Sequence, residues 1–186
     1  MAEPPISFPA ATCSCSTSTG RGRPSVQRTW TDSSPAGRSA VCIHFAVDGG
    51  KDAPGFAQRI GLAWQGGRSK FRHGPLELGF DTGVQHPIGR NFGKLELHDE
   101  SYWQLVGDPQ QVQLLAGAEE DGKPQPLFWT LEPSNGRVVV SIPGHFAWTF
   151  DDPLFRVLML RSIAWAAKEP VDRFNDLVWP GARVRD

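Results

Sequence analysis

The chain has 186 residues, enough for one domain with a sizeable core, and its 39% hydrophobic and 21% charged residues are those of a globular protein. A formal net charge of −1 argues against general binding to nucleic acid or to a membrane surface, since both require a sustained excess of Lys and Arg. The longest apolar run, around VLML at 157–160, is far shorter than the roughly 20 residues of a membrane span.

Residues 1–37 are dominated by Ser, Thr, Pro, Gly and Arg. They carry neither a period of 2 nor one of 3.6 and are expected to be disordered, with Arg21, Arg23 and Arg28 solvated. Nothing in MAEPPISFPAA resembles a secretory leader. Cys13 and Cys15 could form half of a metal site, but no second pair exists to complete it. Three cysteines give no disulfide framework, so a cytoplasmic setting is expected.

From Ser39 the pattern changes. SAVCIHFAV (39–47) reads as a buried strand, and DAPGFAQRIGLAW follows as a helix capped by Asp52, with Phe56, Ile60 and Trp64 at helical spacing. Strand, glycine turn and helix in that order signal an α/β sheet. PLELGF and GKLEL alternate as half-buried strands do, and VQLLAGA, PLFWTL and RVVVSI are further strands separated by the turn segments EEDGKPQ and EPSNG. Asp151 or Asp152 then caps a helix beginning at Pro153, and KEP closes it. The core domain is placed at 38–170 and a C-terminal tail at 171–186, the tail anchored by Phe174, Leu177 and Trp179.

All five histidines fall in this second part. His86, before a proline in a turn, reads as structural. His44 and His145 both stand at the carboxyl ends of predicted strands, where open α/β sheets bind ligands. His73, in KFRHGP, stands beside Lys70 and Arg72, a basic cluster that could hold an anionic or hydroxyl-rich substrate or be a solvated loop. LHDESYW (97–103) gathers His98, Asp99, Glu100 and Tyr102 beside Trp103. Those side chains suit acid–base work, a metal, or a sugar stacked on the aromatic. They equally suit a charged turn over a buried aromatic, and both readings stay open. Motifs for dinucleotide, P-loop, zincin and serine-hydrolase chemistry are absent from the sequence. Cys42, inside the first strand, is a poor nucleophile candidate.

PLFWTL followed by NGRVVVSIPGHFAWTFDDPLFRVLMLRSIAWAA, together with HPIGRNFGKLELHDESYW and IHFAV, resembles the signature of ThuA-like (trehalose utilisation) domains over residues 39–168. The resemblance implies a flavodoxin-like sheet with flanking helices, akin to class I glutamine amidotransferases. The relatives' nucleophilic thiol has no counterpart at Phe45–Val47, so amidotransferase chemistry is not implied. It implies a sugar-processing enzyme for trehalose, related glycosides or keto-sugars, of hydrolase or isomerase type. His98, Glu100 and His145 would be catalytic and His44, His73 and Tyr102 substrate-binding, with His44 and His145 lining the site or holding a metal. The first strands and helices of the family have no counterpart in residues 1–37, which implies an N-terminally incomplete domain, as truncation or a shifted reading frame would produce. The alternatives are a non-catalytic carbohydrate-binding or regulatory module, and an inactive fragment. The expected partner is a small-molecule sugar, with no nucleic acid and no membrane, and homo-oligomerisation is left open.

Overall fold

The computed structural model describes residues 39–81 and 85–179. The segment 1–37, with Cys13, Cys15 and its three arginines, lies outside the described residues, as does the end of the tail from 180. Within them the fold is α/β: one mixed six-stranded sheet with flanking helices and a small two-stranded sheet.

The apolar run beginning at Ala40 supplies β1, Ala40–Ile43, which pairs in parallel with β8, Val138–Ser141. The strand ends sooner than its apolar sequence predicts. His44 adopts a φ of 54°, a left-handed conformation that His tolerates better than most residues, and residues 44–47 wind into a 3-10 turn. Helix α1, Ala53–Ile60, starts where expected: the Asp52 side chain accepts from the Gly55 N–H, and the helix stops at Gly61, whose φ is 94°. Trp64 is not on that helix. It follows β2 (Leu62–Ala63) and bridges in parallel to Asp48, while β2 itself pairs antiparallel with β5, Val106–Gly107.

Two long strands come next. β3 is Lys70–Phe80 and β4 is Lys94–Trp103, antiparallel from Lys70↔Trp103 to Gly79↔Lys94. Both extend well beyond their alternating segments. Leu76, Leu78 and Phe80 point inward as period 2 predicts, but His73 is on β3 rather than in a loop, and LHDESYW is strand rather than turn. β6 (Gln113–Glu120) and β7 (Lys123–Leu131) complete the sheet in the order β1-β8-β7-β6-β3-β4. β6 pairs with β3 only at Gly79 and Phe80, so much of β3 has a single ladder neighbour, which is where a proline such as Pro75 is tolerated.

The core lies against β7 and β8. Leu127, Phe128, Trp129, Val139 and Val140 are fully buried, and α2, Pro153–Ala166, covers them with Phe155 and Leu158. Asp152 is the residue that caps α2, accepting from the N–H groups of Leu154 and Phe155. The tail differs from expectation: Val178 is buried, whereas Leu177 and Trp179 are exposed. No helix among the described residues is long and apolar enough to cross a membrane.

Candidate active site

β1 and β8 run in parallel, so their carboxyl ends open on the same edge of the sheet. His44 leaves the end of β1, and His145 follows β8 after the short link Ile142–Pro143–Gly144. Gly144 has a φ of 132°, and a Cβ there would stand 2.6 Å from Ile43 Cγ2, so this link requires glycine. Glu100 and Tyr102 lie on β4, at the far end of the strand order from β1. Their contacts with His44 require the sheet to curl until its first and last strands meet.

The meeting point is the Glu100 carboxylate, only 5% exposed. Its Oε2 lies 3.2 Å from His44 Nε2 and 2.9 Å from His145 Nδ1, and accepts from the Tyr102 hydroxyl at 3.2 Å. Its Oε1 faces His73 Nε2 at 3.3 Å, across the ladder position that pairs the two residues. His44 Nε2 is also 3.0 Å from the Tyr102 hydroxyl and 3.0 Å from His145 Nδ1. On its other side, His44 Nδ1 lies 3.2 Å from the Ile142 carbonyl oxygen. A carbonyl only accepts, so Nδ1 carries the proton and Nε2 presents its lone pair to the cluster. Burial lowers the His44 pKa against the opposing pull of the Ile142 carbonyl and Glu100, favouring this neutral form. Burial, reinforced by the charge of Glu100, raises the Tyr102 pKa, so its hydroxyl stays a donor at neutral pH.

Asp99, next to Glu100, has a different task. It is fully buried, and its two oxygens accept from the N–H groups of Glu100, Gly144 and His145 and from the Thr149 hydroxyl. It ties the link after β8 to β4 and fixes the backbone of His145. Phe146 and Trp148 stack at 4.1 Å beside the cluster, and Trp148 is 54% exposed. The Phe71 ring, exposed to a similar degree, packs edge-on to His73 and near Trp64, which in turn lies against Tyr102.

Such a cluster, built from the ends of β1 and β8 and from β4, sits within a recognisable family pattern. The profile of ThuA, described as trehalose utilisation, matches residues 12–166. The chain belongs to the ThuA family. Its fold is shared with a ThuA-like protein from Parabacteroides merdae ATCC 43184, at 24% identity and a TM-score of 0.58 over 70% of this chain and 61% of that one. It is shared also with a ThuA-like protein from Bacteroides uniformis ATCC 8492, at 18% identity and a TM-score of 0.55 over 73% and 62%. The chain thus spans about three-fifths of the length of these solved structures. No curated protein matches it.

In this ThuA domain, five of the six site residues expected from the sequence come together: His44, His73, Glu100, Tyr102 and His145. The sixth, His98, is exposed on β4 opposite Pro75, and among the described residues its imidazole reaches neither Glu100 nor another histidine. Its carbonyl instead accepts from the Trp148 indole N–H at 3.0 Å. The Asp99 clamp, the Ile142 carbonyl and the stack of half-buried Phe146 on exposed Trp148 were not legible as parts of the site. Only the density of polar residues in LHDESYW hinted at Asp99. His86 is structural: it is buried, edge-on to Trp165, and its Nδ1 accepts from the Ile88 N–H. Cys42 is half-buried with its thiol free, and burial pushes its pKa up to about 11, which suits an inert cysteine. His44, His145 and Glu100 are the residues that could share a metal ion, since their nearest donor atoms all lie within 4.8 Å of one another.

Proposed function

We propose that this ThuA domain processes a carbohydrate at the His44–His73–Glu100–Tyr102–His145 cluster, by proton transfer on a keto-sugar. The observation that carries the reading is the buried Glu100 carboxylate, met by three imidazoles and a phenol beside exposed aromatic faces. A sugar offers hydroxyls to the polar groups and an apolar C–H face to a ring such as Trp148.

Hydrolysis of a glycoside commonly uses two carboxyl groups flanking the bond. Here the neighbouring carboxylate, Asp99, is already saturated by four donors, leaving Glu100 as the one carboxylate of the cluster among the described residues. A single base suits a different reaction, removal of the proton beside a ketone. Glu100 takes that proton on Oε1, the resulting enediolate is stabilised by the Tyr102 hydroxyl, and Glu100 returns the proton to the former carbonyl carbon while the proton of the neighbouring hydroxyl passes to the former carbonyl oxygen. His145, exposed on its loop, borders the cluster on its solvent side. The acid–base role therefore falls to Glu100 rather than to His98. The reading includes a cytoplasmic setting, supported by the free thiol of Cys42, and a small-molecule sugar as partner.

The test is proton NMR of a 3-keto-glycoside incubated with the chain in heavy water. The signal of the proton beside the ketone should disappear faster than in buffer, and Glu100→Gln should slow that exchange by at least about 100-fold. The exposed Phe71 and Trp148 faces favour a second reading, a non-catalytic sugar-binding module. Protein resonances that shift on sugar addition without any exchange would select it. Neither shift nor exchange would remove the carbohydrate reading altogether.

A further inference from the structure

We infer that His44 Nε2, His145 Nδ1 and Glu100 Oε2 form a three-ligand seat for one divalent first-row transition-metal ion. The seat adds a cofactor to the site just described, and it rests on the carbohydrate reading only for what the ion's remaining positions receive.

The first argument is a count of protons. Five close contacts join four atoms: His44 Nε2 to the Tyr102 hydroxyl, to His145 Nδ1 and to Glu100 Oε2, and Glu100 Oε2 to His145 Nδ1 and to the Tyr102 hydroxyl. With the His44 proton spent on the Ile142 carbonyl, Nε2 is an acceptor, and a carboxylate is acceptor-only. The Tyr102 hydroxyl has one proton to offer and His145 Nδ1 at most one. Two protons cannot serve five contacts well, so lone pairs face one another around a buried carboxylate. A cation is what such converging lone pairs accommodate.

The second argument is distance. The three donor atoms are separated by 3.0, 3.2 and 2.9 Å. Adjacent ligands of a six-coordinate ion, at about 2.1 Å from the metal, stand about 3.0 Å apart, whereas tetrahedral ligands at that length stand about 3.4 Å apart. The spacing fits one triangular face of an octahedron. Two imidazoles and one carboxylate on one face form a set that suits iron, zinc or a neighbouring metal and leaves positions open.

The third argument is the surrounding support. Metal-binding histidines characteristically donate their second ring N–H to a fixed acceptor, as His44 does to Ile142. His145 is held through its main chain by Asp99, and the carboxylate of Glu100 is buttressed by Tyr102 and His73. Open positions on the ion would face the cleft, where the paired oxygens of a hydroxy-ketone could occupy two of them.

The test uses the full chain, free of tags and stripped of metal, titrated with Co2+ and followed by visible absorption and calorimetry. One equivalent should bind per chain, and Zn2+ should displace it. Glu100→Gln and His145→Ala should each weaken uptake at least tenfold, with circular dichroism confirming that both remain folded. His98→Ala should match the wild type within twofold. The inference is overturned by sub-stoichiometric uptake of both ions, or by uptake that survives Glu100→Gln and His145→Ala unchanged. Deuterium exchange on the keto-sugar without metal uptake removes the seat and keeps the carbohydrate reading. Stoichiometric Co2+ binding with no response to sugar does the reverse.

Discussion

Asp99 and Glu100 are adjacent on one strand, equally acidic and both buried, yet one organises the site and the other is available to react. What separates them is the number of donors each receives from the backbone. Asp99 accepts the main-chain N–H groups of Glu100, Gly144 and His145 together with the Thr149 hydroxyl, whereas the Glu100 carboxylate meets side chains: three imidazoles and a phenol. Replacing Asp99 by Ala strands those donors, and each buried unsatisfied group costs about 1–3 kcal/mol. We therefore expect Asp99→Ala to lose at least about 2 kcal/mol in urea unfolding, with the His145 imidazole resonance shifted because its backbone is no longer held. A loss below about 0.5 kcal/mol would mean that the clamp carries little of the load. Sequence could mark this pair as polar and dense. It could not divide their roles, because three of the four donors to Asp99 lie more than forty residues away.

At the scale of elements, legibility follows how local the determining signal is. Helix α2 announces itself within four residues: Asp152 supplies the cap and Pro153 the pre-set φ. Asp152→Ala should cost about 1 kcal/mol, seen as a lower urea midpoint at unchanged m-value, while the site cluster keeps its spectroscopic signature. Strand β4 is the opposite case. Its first half alternates Leu95 and Leu97 with exposed polar residues and is readable. From Asp99 to Trp103 every residue is buried; the Ser101 hydroxyl has no partner among the described residues, and Asp99, Glu100, Tyr102 and Trp103 find theirs mainly at positions distant in sequence, a condition no periodicity encodes. β1 failed in the other direction, since its apolar sequence continues after the strand has ended at Ile43. The interruption is set by the left-handed turn at His44 and its bond to the Ile142 carbonyl.

Across the whole molecule, acid should weaken the fold, and His86 gives one reason. It is buried against Trp165, and burial lowers its pKa against the opposing pull of Glu132, with Arg137 adding the least. A depressed imidazole pKa means that the unfolded chain binds protons more readily. The stability is therefore complete above the ordinary value of 6.5 and is lost as pH falls through the lowered folded value. Urea midpoints at pH 7.5 and 5.5 should differ more in the wild type than in His86→Gln; equal differences would assign the acid sensitivity elsewhere. The same long-range closure that assembles the site also sets an order of events. β1 pairs Ala40 with Val138, so a nascent chain carries a strand without its partner until nearly a hundred further residues are made. At about 5–20 residues per second, that wait lasts roughly 5 to 20 s. Throughout it the edge of Val41, Cys42 and Ile43 is a target for chaperones or for a neighbouring chain, and His44 can join Glu100 only after β4 has emerged. The yield of native protein should therefore respond more to the speed of translation and to chaperone supply than the modest size of the sheet suggests.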